Sequence, residues 1–217
     1  MKPIKYCIFD FDGTVADSQW FWQTVTLRIL QSRGYPATEE DFEACYALSV
    51  SDRWEMFVRR FGLSEADRPA TEEVHQKIGE FYRTDVTWKD GATEFLTWLR
   101  AQGIKTALFS ASPMRILAHG VETLKAADYF DYIFSTSEIG VGKSDPKSYQ
   151  YCLDAMGATA EESVMFEDAA YSMKTAKEAG LYVVAVHERC KQFEIDEIRR
   201  LCDRYVYNLT ECKEGLL

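Results

Sequence analysis

Two carboxylates stand one residue apart at the end of an apolar run, in Tyr6-Cys7-Ile8-Phe9-Asp10-Phe11-Asp12-Gly13-Thr14. Ile4 to Phe9 reads as a strand buried on both faces. Alternation along a strand starts Asp10 and Asp12 off in the same direction, and Gly13 allows a sharp turn behind them. Two acidic groups at the end of a buried strand repel each other and lose hydration, which is costly unless a cation or a proton lies between them. Asp and Gly are also ordinary turn residues, so this triplet alone decides nothing. Three further polar clusters do: Ser110-Ala111-Ser112-Pro113, the run Gly140-Val141-Gly142-Lys143-Ser144-Asp145-Pro146, and Glu167-Asp168. Asp10, Asp12 and Asp168 offer hard oxygen ligands with no softer donor competing, which suits Mg²⁺. Lys143 and Ser110 offer donors to an anionic group. A metal, a lysine and hydroxyl donors together form the equipment of phosphoryl transfer. There is no GxxxxGK[ST] loop, which excludes a P-loop enzyme. A carboxylate can itself attack phosphorus, and a second can manage protons.

The elements that must position these groups alternate. After Asp17 the pattern is helical to about Tyr82. One helix is capped by Asp17 or Ser18 and stopped by Gly34 and Pro36. A second opens on a Thr38–Asp41 capping box, a third runs from Ser51 to Gly62, and a fourth starts at Thr71. From Asp90 onward helices and strands alternate. The strands expected are Ile104–Phe109, Tyr132–Ser135, Ser163–Phe166 and Tyr182–His187, with a possible edge strand Arg204–Tyr207. The helices expected are Gly91–Ala101, Met114–Leu124, Pro146–Met156, Ala170–Ala179 and Phe193–Cys202. Such βα units imply an α/β fold, with a Rossmann-like parallel sheet covered on both faces and a four-helix insert after the first strand. The domains expected are a core, residues 1–16 and 90–217, and a helical cap, residues 17–89. All four polar clusters then fall at the carboxyl ends of strands, where open α/β sheets bind ligands.

Composition narrows the class. The 217 residues are 47% hydrophobic and 28% charged, ordinary for a globular protein with a good core. A net charge of −10 argues against nucleic-acid or anionic-membrane partners. Six cysteines without a CxxC pair point to free thiols in a reducing compartment, hence to the cytoplasm. Met1-Lys2-Pro3 leads straight into the first strand, so no signal peptide is expected, and no apolar run reaches the length of a membrane span. The oligomeric state stays open, with a monomer compatible.

Asp10-Phe11-Asp12-Gly13-Thr14, Ser110, Lys143 and Glu167-Asp168 resemble, in order and spacing, the four motifs of the haloacid dehalogenase superfamily. The helical insert resembles its C1 cap, as in subfamily I phosphatases. The resemblance implies a phosphatase of small phosphorylated metabolites working through an aspartyl-phosphate. Asp10 would be the nucleophile and Asp12 the general acid and then base. Ser110, with Ala111 beside it, and Lys143 would hold the phosphate. Mg²⁺ would be bound by Asp10, the backbone carbonyl of Asp12, Asp168 and, directly or through water, Glu167. Ser144 stands where the family often has proline. Ala169 and Ser172 replace the serine and glycine usual after the acidic pair, which bears on metal affinity. A β-phosphoglucomutase-like phosphotransferase is an alternative, but Trp22 stands where those enzymes carry a histidine. A phosphonate hydrolase would need an early cap lysine, whereas Lys77 comes late. A catalytically weak phosphate-binding module is the other alternative, against which the second aspartate speaks. Asp17-Ser18-Gln19-Trp20-Phe21-Trp22 and Ser110-Ala111-Ser112-Pro113 are similar to bacterial sugar-phosphate phosphatases. Trp22 either packs the cap or contacts substrate. Arg53 either meets the substrate's distal part or is a solvated surface arginine, the commoner fate. His75, His119 and His187 read as packing or surface groups.

Overall fold

The computed structural model describes residues 3–215. Met1 and Lys2, read above as the start of a lead-in without a signal peptide, lie outside them. In chain order the elements are β1 (Tyr6–Phe9), α1 (Gln19–Ser32), α2 (Glu39–Tyr46), α3 (Val50–Phe61), α4 (Thr71–Thr84), α5 (Ala92–Ala101), β2 (Lys105–Ser110), α6 (Met114–Thr123), β3 (Tyr132–Ser135), α7 (Thr136–Ile139), α8 (Pro146–Met156), β4 (Ser163–Glu167), α9 (Ala170–Glu178), β5 (Tyr182–Val186), α10 (Ile195–Leu201) and β6 (Arg204–Val206). The strands form one sheet in the order β3-β2-β1-β4-β5-β6, every neighbour parallel. This is the α/β sheet with a helical insert that the alternation of elements implies.

Period-2 alternation sorts the strand residues onto two faces. Cys7, Phe9, Leu108, Val164, Phe166 and Val184 enter one apolar cluster. Ile8, Ala107, Phe109, Met165, Val183 and Ala185 enter the other, under α8, α9 and α10. The first cluster also contains Val25 and Ile29 of α1 and Ile78, Phe81 and Tyr82 of α4, so half of the insert is packed continuously with the sheet. α6 presses so closely that a Cβ on Gly120 would lie 2.7 Å from the Phe11 ring. The far end of the insert has its own cluster, built on Leu27, Leu30, Cys45, Trp54, Phe57 and Leu63.

Several local expectations shift. Ser49, rather than Ser51, caps α3, its hydroxyl accepting from Asp52 N. Ser18 sits at the N-cap of α1 yet makes no side-chain cap bond, because its hydroxyl is used elsewhere. The tail helix begins at Ile195, preceded by a tighter 3-10 segment Arg189–Glu194. α7, a single turn, has no periodicity to reveal it. The Thr38–Asp41 box forms as expected, and the Asp145 side chain caps α8 with Pro146 in its first turn. The two linkers pair with each other: Asp17 N donates to Thr87 O and Lys89 N to Val15 O.

Candidate active site

β1 stops at Phe9, and the next residues turn at the carboxyl end of the central strand. The order of strands departs from β1 in both directions, toward β2 and toward β4, which opens a crevice there. A cavity of about 390 Å³ occupies it, with Asp10, Asp12, Ala111, Ser112, Glu167 and Asp168 on its core wall. Trp22, Gln23, Arg53 and His75 come from the helical insert, and Tyr171, Lys191 and Phe193 from the opposite rim. Ser110 and Lys143 are not on this wall. Ser110 is buried, its Oγ accepting Ser112 N–H at 3.0 Å.

Lys143 lies behind Asp10, buried, and donates to Asp10 Oδ1 at 2.5 Å and to Glu167 Oε2 at 3.0 Å. Its ammonium also sits 5.0 Å over the Phe109 ring. Asp10, Glu167 and Asp168 each place a carboxylate oxygen within 4.8 Å of one another. Burial pushes the Asp10 carboxyl up to about 7, with the Glu167 charge adding to it and Lys143 opposing. Burial likewise drives Asp168 well above the carboxylate range, with Lys191 opposing only in part. Glu167 behaves otherwise. Burial would raise it, but Lys143 and a set of hydrogen-bond donors hold it below the usual range. Lys143 therefore ion-pairs with two of the buried acids, while the third, Asp168, is opposed only in part, by the Lys191 charge. Asp168 Oδ2 is a buried oxygen without a hydrogen-bond partner. Gly13, at φ +86°, leans over it, and a Cβ there would sit 2.4 Å from that oxygen. A hard divalent cation fits this donor set: oxygen ligands only, surplus negative charge and a free acceptor.

Asp12 is held from the other side. Ser18 Oγ donates to its Oδ1 at 2.6 Å, Ser112 Oγ to its Oδ2 at 3.1 Å, and the Tyr82 hydroxyl donates to Oδ1 as well. Trp22 Nε1 donates to the Tyr82 hydroxyl at 3.1 Å. Burial raises the Asp12 carboxyl, while Ser18 and Tyr82 pull the other way. The sequence marks Ser112 only as part of the Ser110–Pro113 cluster and Tyr82 only as the end of the helical stretch; their distance from Asp12 along the chain hides the contact. Trp22 packs against the core cluster and also lines the cavity.

Arg53 is not a solvated surface arginine. It is 8% exposed, lines the cavity, and donates to the carbonyls of Cys45 (3.3 Å) and Leu48 (2.8 Å). The turn between α2 and α3 folds those carbonyls around its guanidinium. His75, read as a packing or surface group, also reaches the cavity wall. Gln19, Gln23, Lys191 and Phe193 line it too, and no local pattern marks them. Ala169 and Ser172 both fall beside the acidic pair. Ala169 N–H donates to Glu167 Oε1 at 3.3 Å and Ser172 Oγ to Oε2 at 2.5 Å.

Residues 7–186 match the family described as haloacid dehalogenase-like hydrolase. The chain is 24% identical over 174 residues to a phosphorylated carbohydrates phosphatase of Thermotoga maritima, covering 80% of this chain and 81% of that one. It is 26% identical over 184 residues to a fructose-1-phosphate phosphatase of Escherichia coli, covering 82% and 94%. Among solved structures, a HAD family hydrolase from Deinococcus radiodurans with bound phosphate and sodium shares the fold at TM-score 0.78 and 21% identity, covering 100% and 96%.

Proposed function

The chain belongs to the haloacid dehalogenase-like hydrolase family, and we propose that it is a Mg²⁺-dependent phosphatase of small phosphomonoesters, sugar phosphates foremost. The observation that carries this reading is the buried charge imbalance around Lys143, with Asp168 Oδ2 left without a partner. The names of the Thermotoga and Escherichia relatives, both phosphatases of carbohydrate phosphates, support the substrate class.

Asp10 and Asp168, with the backbone carbonyl of Asp12, would hold Mg²⁺, and Glu167 belongs to the same acidic group. When bound, the cation neutralises charge on the phosphoryl oxygens. Asp10 attacks phosphorus, and a bond from its carboxylate oxygen forms as the bond to the leaving alcohol breaks. Asp12 gives that alcohol its proton. Burial lets Asp12 carry the proton beforehand, and the Ser18, Tyr82 and Ser112 hydroxyls stabilise it once ionised. Asp12 then takes a proton from water, which attacks phosphorus and frees Asp10 and inorganic phosphate. Lys143 fixes Asp10 from behind, and Ser110, with Ala111 and Ser112, forms the phosphate-holding loop.

Residues 1–16 and 90–217 act as the core and residues 17–89 as its cap, which supplies the substrate-facing wall. Trp22 covers the alcohol portion, and Arg53 meets its distal end. The cavity is of the size that takes a small metabolite. Six unpaired cysteines fit a reducing cytoplasm. No described helix is long and apolar enough to cross a membrane.

The test is phosphate release from p-nitrophenyl phosphate with Mg²⁺. Asp10→Asn loses at least ~100-fold in rate, as when an essential group is removed, and Asp12→Asn loses turnover. An Asp10→Asn protein that keeps its activity ends the covalent reading.

A further inference from the structure

Helices α8 and α9 carry a hydroxyl pair that no step above uses. Tyr149 and Ser172 are both fully buried. The Tyr149 hydroxyl lies 2.6 Å from Ser172 Oγ and 3.1 Å from the Ser172 carbonyl. Ser172 Oγ lies 2.5 Å from Glu167 Oε2. Counting protons fixes the direction. Glu167 already accepts from the Lys143 ammonium and from two backbone amides, and the single Ser172 hydroxyl proton points to it as well. Tyr149 must then be the donor to Ser172. Glu167 Oε2 also accepts from Lys143 Nζ at 3.0 Å, and Lys143 donates on to Asp10 at 2.5 Å. Glu167 Oε1 accepts the backbone N–H groups of Asp168 and Ala169 at 3.2 and 3.3 Å. Two hydroxyl or ammonium donors and two amides fill the roughly four acceptor sites of a carboxylate.

We propose that Tyr149 and Ser172 are positioning residues for the nucleophile. They act through Glu167, which anchors Lys143 against Asp10 and has no acceptor site left for a metal. The physical reason is the lysine stem. An ammonium on a flexible four-carbon chain does not choose its own place. A carboxylate held at four points in a low-dielectric interior does, and it fixes the lysine in turn. Remove the Ser172 hydroxyl and Glu167 loses its stop on the α9 side. It can then rotate, and Lys143 follows it away from Asp10. Tyr149 sits one bond further out and steadies the Ser172 rotamer.

The inference rests on the phosphatase reading. Its test uses the full chain with Ser172→Ala, Tyr149→Phe and the double variant, with Asp10→Asn as the control for the reading itself. Two quantities are measured with Mg²⁺: kcat and KM for p-nitrophenyl phosphate, and calorimetric affinity for beryllium fluoride, which mimics a phosphoryl group on an aspartate. Ser172→Ala lowers kcat and beryllium fluoride affinity about tenfold, the usual effect of losing a partner that orients a site group, with KM within about twofold. Tyr149→Phe has a smaller effect in the same direction. The double variant is no worse than Ser172→Ala, because Tyr149 acts only through Ser172. Wild-type kcat and beryllium fluoride affinity in Ser172→Ala overturn the proposal, whatever its melting temperature. So does a double variant that falls by the product of the two single effects. Should Ser172→Ala not fold, Tyr149→Phe with both quantities unchanged overturns it as well. Wild-type protein that turns over no faster than Asp10→Asn defeats the phosphatase reading instead, and beryllium fluoride binding still decides the positioning.

Discussion

At the scale of single residues, the site is a problem in charge. Asp10, Glu167 and Asp168 are all buried, and one lysine contacts the first two. Burying a carboxylate is expensive, so without a cation burial drives Asp168 toward its neutral form, at a cost in stability. Removing the charge should therefore stabilise the protein without metal and destroy its response to metal. Asp168→Asn is expected to melt at a higher temperature than wild type in the absence of Mg²⁺. Wild type should gain about 2.7 kcal/mol when Mg²⁺ is present at roughly 100 times its Kd, and the variant close to nothing. Thermal melts with and without Mg²⁺ measure both. A variant that still gains as much as wild type would remove Asp168 from the ligand set. The same oxygen explains why position 13 is glycine: an added Cβ would fall on it, on top of the strain of φ +86°.

At the scale of elements, the loop joining α4 to α5 holds the acidic turn in place. Lys89 Nζ donates to the carbonyls of Gly13 (2.6 Å) and His187 (2.8 Å) and to Glu188 Oε2 (2.8 Å). One ammonium thus ties the second linker to the turn after β1 and to the end of β5. Burial would raise the Glu188 carboxyl, but Lys89 and the Cys190 N–H hold it below its ordinary value. A depressed carboxyl contributes stability that is complete above the unfolded value and is lost as pH falls through the folded one. Glu188→Gln should therefore cost about 2 kcal/mol near neutral pH. The gap to wild type should hold down to the ordinary glutamate value of about 4.3 and narrow as pH falls below it, where wild type loses the same contribution. Urea melts across that range follow it. A gap that stays constant with pH would show that the Glu188 charge is not what Lys89 needs.

At the scale of the whole molecule, the helical insert is joined to the sheet by packing as well as by linkers. α1 and α4 contribute to the same apolar cluster as the strands, and only the outer end of the insert has a core of its own. Cooperative unfolding follows from shared burial. Phe57→Ala, in that outer core, should cost about 3 kcal/mol and lower a single melting transition. Two separate transitions in calorimetry would show that the insert unfolds by itself. The same joint carries chemistry, because Tyr82 reaches Asp12 from α4 and Trp22 reaches Tyr82 from α1. The Asp12 carboxylate is oriented by the insert as much as by the turn after β1 that bears it.

The sequence by itself determined what is local. Apolar runs set the strands, helical periodicity set the insert, and short polar clusters after strands marked Asp10, Asp12, Lys143, Glu167 and Asp168 as companions. Those signals survive because strand geometry and chain reversal are decided over a few residues. What lies across the cavity was decided by the tertiary structure alone. Tyr82 meets Asp12 from 70 residues away with nothing nearby to announce it, and Ser112, in a cluster the sequence does mark, meets it from 100 residues away through a bond that no local pattern gives. Ser18 looked like a helix cap, yet its hydroxyl found a buried carboxylate, which a charge-assisted bond favours over a backbone amide. Arg53 looked like a surface cation until two carbonyls closed around it. Partners of that kind are chosen by packing between distant segments, and no pattern along the chain encodes the choice.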